Sequence, residues 1–174
     1  MRGKTGCVPI RTRIVAFLWD YALICGYLVL LFGLSAAAGP YLAPLFAANP
    51  WTAELSGFAL ITLPVCLYFA CTEGAGRHAS WGKRKAGIRV AGAGGRPVGF
   101  ARSLGRSALK FLPWELAHFS IWHMTLPSPL PASVVYGALM LVYVLLFAYL
   151  LSPLRSPRSQ TIYDRIAGTV VEYA

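Results

Sequence analysis

The sequence predicts an all-α integral membrane protein with four transmembrane helices and both termini cytoplasmic, and three observations point there. Apolar residues make up 57% of the 174-residue chain and charged residues 13%, against a charged share of about 25% in ordinary soluble domains. The apolar residues fall in unbroken runs of bilayer length, not in the interrupted stripes of a soluble amphipathic helix. Lysines and arginines flank these runs, and the segments 35–52 and 127–132 contain none. The length suits one domain, 1–174.

The first run, IVAFLWDYALICGYLVLLFGL (14–34), is long enough to span, since about 20 residues cover a bilayer core. A cleavable signal peptide is the rival reading, with SAAAG as a mimic of a cleavage site. The run is longer than such an apolar region normally is, and it holds Asp20, so a bundle helix fits better. The second run, AELSGFALITLPVCLYFACT (53–72), carries Pro64 as a tolerated internal kink. SVVYGALMLVYVLLFAYLL (133–151) has no charge at all.

A further candidate, 111–131, begins FLPWELAHFSIWHMTL and carries Pro113, Glu115, His118 and His123. Charge placement decides for it. With four spans all 16 basic residues fall on the cytoplasmic side; with three, Arg155, Arg158 and Arg165 would lie outside, against the positive-inside bias. Trp51 and Trp122 then fall near the outer interface, and Trp81 and Trp114 near the inner one.

The cytoplasmic segment 73–110 contains GIRVAGAGGRPVGF, two short β-prone pieces around a glycine-rich turn, which predicts a hairpin within 88–99. The tail run AGTVVEY is expected to pair with it as a small cytoplasmic sheet. FARSLGRSALKF places Arg102, Arg106 and Lys110 four apart on one stripe, the pattern of an interfacial helix with its basic face on anionic headgroups. Pro113 would then turn the chain into the third span. GRHASWGKR is not a phosphate loop, because the glycine spacing is one residue too long and Arg84 replaces the hydroxyl that holds magnesium.

Asp20 lies about 10 Å below the inner interface, and Glu115 and His118 lie about 7 and 12 Å deep. Ionisable groups at such depths face the bundle interior and pair. The expectation is a polar cluster of Asp20, Glu115 and His118, with Arg13 close by. It would either exchange protons or lock helices in register. Glu54 and Glu73 stand at span ends and read as solvated. Glu115-x-x-His118 is half of a carboxylate-bridged metal site, but the chain supplies one such pair, so no metal or cofactor is expected. The four cysteines fit no metal or redox spacing. Tyr136 and Tyr143 read as packing, and Ala22-x-x-x-Gly26 as a common small-residue pair.

RTRIVAFLWDYALI (11–24), GRHASWGKRKAGIRV (76–90), GRPVGFARSLGRSALKFLPW (95–114) and IYDRIAGTVV (162–171) together resemble the RDD family, small bacterial membrane proteins named for one arginine and two aspartates. The resemblance implies that the arginine is Arg13, the first aspartate Asp20 and the second Asp164. It implies a helical membrane protein, with transport of ions or small solutes as the usual suggestion.

The expected function is therefore ion- or proton-coupled transport of a small solute across the inner membrane, by a homo-oligomer. The alternative is an accessory protein whose basic face binds anionic lipid or a protein partner. An enzyme is the weaker idea, since nothing resembles a nucleophile–base pair. Nucleic acid is a poor partner for basic residues that flank lipid-length runs.

Overall fold

The computed structural model describes residues 8–174 apart from 75 and 77, so Arg2, Lys4, Cys7 and Arg77 lie outside the described residues. Helix α1 is Ile10–Ala37 and is followed by the short α2, Gly39–Ala47. Helix α3, Pro50–Gly74, contains a π turn at Phe58–Thr62. Next come the single turn α4, Trp81–Lys85, and strand β1, Ile88–Gly92. Helices α5, Phe100–Thr125, and α6, Ala132–Arg155, are joined by a short loop. The tail forms α7, Ile162–Ile166, and strand β2, Thr169–Tyr173.

Helices α1, α3 and α6 are long and apolar enough to cross a membrane. Only 11% of the apolar window of α1 and of α6 is buried inside the protein, so their outer faces are left for lipid. Helix α5 is as long but is not apolar enough to count with them. It nevertheless runs antiparallel along the whole of α3. Ser103 reaches the Phe69 carbonyl at 3.5 Å, Thr62 meets Glu115, and Trp51 packs on Phe119 and His123.

Prolines inside these helices free a carbonyl one turn back, because the ring has no N–H. In each long helix that carries one, a hydroxyl takes that carbonyl. Tyr27 of α1 donates to Leu60, four residues before Pro64. Tyr149 of α6 donates to Leu109, four before Pro113, at 2.7 Å. Ser152 donates to Tyr149, four before Pro153, at 3.2 Å. The tyrosines therefore repair a neighbouring helix while joining it to their own.

This repair explains one departure from expectation. The predicted interfacial helix does not end at Pro113. The chain continues as one helix from Phe100 to Thr125, because Leu109 finds a new donor and loses nothing by the missing bond. The predicted hairpin is a second departure. Only β1 forms within 88–99, and after it Gly94 and Gly95 take positive φ, 76° and 75°, turning the chain away. The tail pairing does form: β1 and β2 are antiparallel, with Val90 opposite Val171. Ile88 and Val171 pack with Val8 and Ala16, seating the sheet on the first turns of α1.

Replacing Tyr149 by Phe leaves the Leu109 carbonyl unpaired and is expected to cost about 1 kcal/mol. Replacing the lipid-facing Tyr143 should cost nothing measurable. Unfolding midpoints in detergent distinguish the two variants.

Candidate functional site

Asp20 is buried on α1 and accepts three hydrogen bonds. They come from Ser80 Oγ at 2.5 Å, the Gly82 amide at 2.7 Å and Tyr68 Oη at 3.1 Å. Ser80 is also the N-cap of α4, accepting from the Lys83 amide. The approach leaves no room for a side chain at Gly82, where a Cβ would lie 2.0 Å from the Ala16 carbonyl oxygen. By contrast, a Cβ on Gly26 would touch nothing, so the Ala22/Gly26 pair brings no helix close. The glycine–lysine stretch thus docks the turn α4 onto α1 through a carboxylate whose acceptor sites are mostly filled.

Beside Asp20 lies a buried ionic network. Arg106 on α5, 2% exposed, contacts Asp164 through Nε and Nη2, each at 2.7 Å, and Glu73 through Nη1 at 2.5 Å. Lys83 holds the other oxygen of Glu73. Arg13 Nη1 stands 3.8 Å from Asp164, and its Nη2 donates to the Val171 carbonyl. Asp164 also closes a capping box with Thr161 at the start of α7, and Thr169 Oγ1 donates to it at 3.3 Å. Burial alone would lower the Arg106 pKa, but Asp164 and Glu73 outweigh it and raise the value. Burial raises the Tyr163 hydroxyl, and neighbouring Asp164 adds to the shift.

Several sequence expectations are corrected here. Glu73 is not solvated at a span end but has no exposed surface, because two cations reach it. Arg106 does not face headgroups, since Glu73 and Asp164 draw it inward. Arg102 alone of the basic stripe is exposed, and Lys110 is half-buried with Nζ 3.5 Å from the centre of the Phe69 ring. Arg13 pairs with Asp164, not with Asp20. Of these partners, sequence reasoning missed Glu73 and Lys83. Thr161-x-x-Asp164 was readable as a capping box.

Glu115 and His118 form a separate group, away from the carboxylate of Asp20. Glu115 accepts from Thr62 Oγ1 at 2.5 Å, at the midpoint of α3, and its other neighbour is His118 Nδ1 at 3.9 Å. The carboxyl of Glu54 comes close enough to interact with that of Glu115. Glu54 Oε2 and His118 Nδ1 are buried without a hydrogen-bond partner. Glu54 therefore joins this group and is not an ordinary solvated span end.

Two cavities lie beside these groups. One of about 460 Å³ is lined by Arg13, Asp20, Lys83, Arg106, Lys110 and Asp164 together with apolar residues of α1 and α6. A second, of about 180 Å³, reaches Thr62. Both share Phe17, Asp20 and Lys110 as wall. Among the described residues, no three His, Cys, Asp or Glu side chains gather as metal ligands.

The family model described as the RDD family matches residues 7–168. No curated protein and no solved structure matches the chain.

Proposed function

The chain belongs to the RDD family of membrane proteins, and on that premise we propose that it is a four-span inner-membrane protein that exchanges protons at Glu54, Glu115 and His118 to drive movement of a small solute. The fourth crossing is α5. Its support is the antiparallel contact with α3 from Phe69 to Trp51, which carries α5 through the same depth as an apolar span. Four crossings also put every lysine and arginine on one side.

The observation that carries the proton reading is the meeting of two carboxyls beside the midpoint of α3. A pair of neighbouring carboxyls inside a bundle is a place for a shared proton or a bound cation. Thr62 connects the pair to the inner cavity, and that cavity shares Asp20 with the wider one at the basic end. The inner cavity thus links Thr62 with Asp20 and Lys110 along a wall that is otherwise largely apolar, and this is the route proposed for the proton. Asp20 serves as an anchor on that route, since three donors already hold it. Four helices enclose little space, so the solute path is shared between protomers of a homo-oligomer.

Reconstituted wild-type protein should carry proton flux that Glu115→Gln lowers by at least about tenfold, equivalent to about 1.4 kcal/mol of barrier. Flux unchanged in both Glu115→Gln and His118→Ala contradicts the proposal. Topology is tested with single cysteines in a variant whose native cysteines are replaced. An impermeant thiol reagent on intact cells should label Ser128→Cys, whereas Ser159→Cys should react only after lysis. The reverse pattern contradicts four spans with cytoplasmic termini.

A further inference from the structure

The larger cavity carries more positive than negative charge. Arg13, Lys83, Arg106 and Lys110 line it against Asp20 and Asp164. Adding Glu73, which pairs with Lys83 and Arg106 from behind, still leaves four cations to three carboxylates. The surplus sits on Lys110. No carboxylate of a described residue lies within ion-pair distance of it. Burial lowers its pKa to about 7, Glu73 and Asp20 act on it from farther off, and its ammonium is flanked by the rings of Phe69 and Phe111. A cation in that position is complementary to an anion entering the cavity.

The walls say what kind of anion. On the α1 side stand Ile14, Phe17 and Leu18, each about half exposed, and on the α6 side stands Leu150, 69% exposed. These side chains belong to two helices that are apolar enough to span a membrane. The cavity therefore opens between lipid-facing surfaces and carries its charge at the inner end. A free inorganic anion has no use for such walls, whereas an acyl chain buries against them at about 25 cal/mol per Å².

We propose that this cavity binds one anionic phospholipid of the inner leaflet, with its phosphate on Lys110 beside Arg13 and an acyl chain between α1 and α6. The stripe expected to touch headgroups from the surface does so instead from inside, through Lys110 alone. The site is independent of the proton reading: lipid binding and proton flux are measured separately, and either can fail without the other.

Native mass spectrometry of the full chain, delipidated in neutral detergent, tests the site. The probes are phosphatidylglycerol, phosphatidylcholine and inorganic phosphate. Phosphatidylglycerol should bind at least about tenfold tighter than phosphatidylcholine, and millimolar phosphate should not displace it. Lys110→Gln should lose that preference, while Lys110→Arg and the exposed-site control Arg102→Gln keep it, with unfolding midpoints confirming folded protein. Equal affinity for the two lipids, displacement by phosphate, or full preference in folded Lys110→Gln overturns the proposal. If Lys110→Gln does not fold, lipid selectivity in the wild type and in Lys110→Arg decides it alone.

Discussion

Arg106 enters the interior with almost none of its surface left to water, and a charge moved that far persists only where carboxylates meet it. Glu73 and Asp164 do so, from opposite directions in the sequence. Glu73 ends α3, Arg106 lies on α5, and Asp164 begins the tail. One guanidinium thus fixes the relative position of two long helices and the chain that returns after the last one. Lys83 completes the far oxygen of Glu73, which brings in the turn after α3. Removing any one partner would leave the others with a buried charge only partly compensated.

The rest of this end of the bundle follows from that centre. With Asp164 held, Thr161 can cap α7, Thr169 can bond back, and β2 leaves in register with β1. Arg13 then reaches both Asp164 and the Val171 carbonyl, which ties the sheet to α1. Asp20 makes the parallel connection to α4 through hydrogen bonds from a hydroxyl, an amide and a phenol. The three acids that the bundle buries here are thus satisfied. Glu54 and Glu115 are different, because they face each other and leave an oxygen unpaired. That contrast separates the acids that hold the fold from the pair on which the proton proposal rests.

Much of the architecture was legible in the sequence. Hydropathy gives α1, α3 and α6, and it passes over α5, which is as long but less apolar. The tail's β-prone run finds its partner as expected. What could not be read was which side of a helix meets another helix. The spacing of Arg102, Arg106 and Lys110 correctly puts them on one stripe, but nothing local says that Glu73 and Asp164 cover its middle. Glu73 looked like a solvated end because its partners lie 10 and 33 residues away. Pro113 looked like a turn because the hydroxyl that replaces its missing bond comes from Tyr149, 40 residues beyond Leu109.

A double-mutant cycle between Arg106 and Asp164 tests the central ion pair most directly. Stability of Arg106→Met, Asp164→Leu and the double variant is measured by reversible unfolding in mixed micelles. Each single change should cost about 3–5 kcal/mol, because it leaves a buried charge uncompensated. The double change should cost less than the sum by a coupling of about 2–3 kcal/mol. Losses that add to within about 0.5 kcal/mol would contradict a structure organised around this guanidinium.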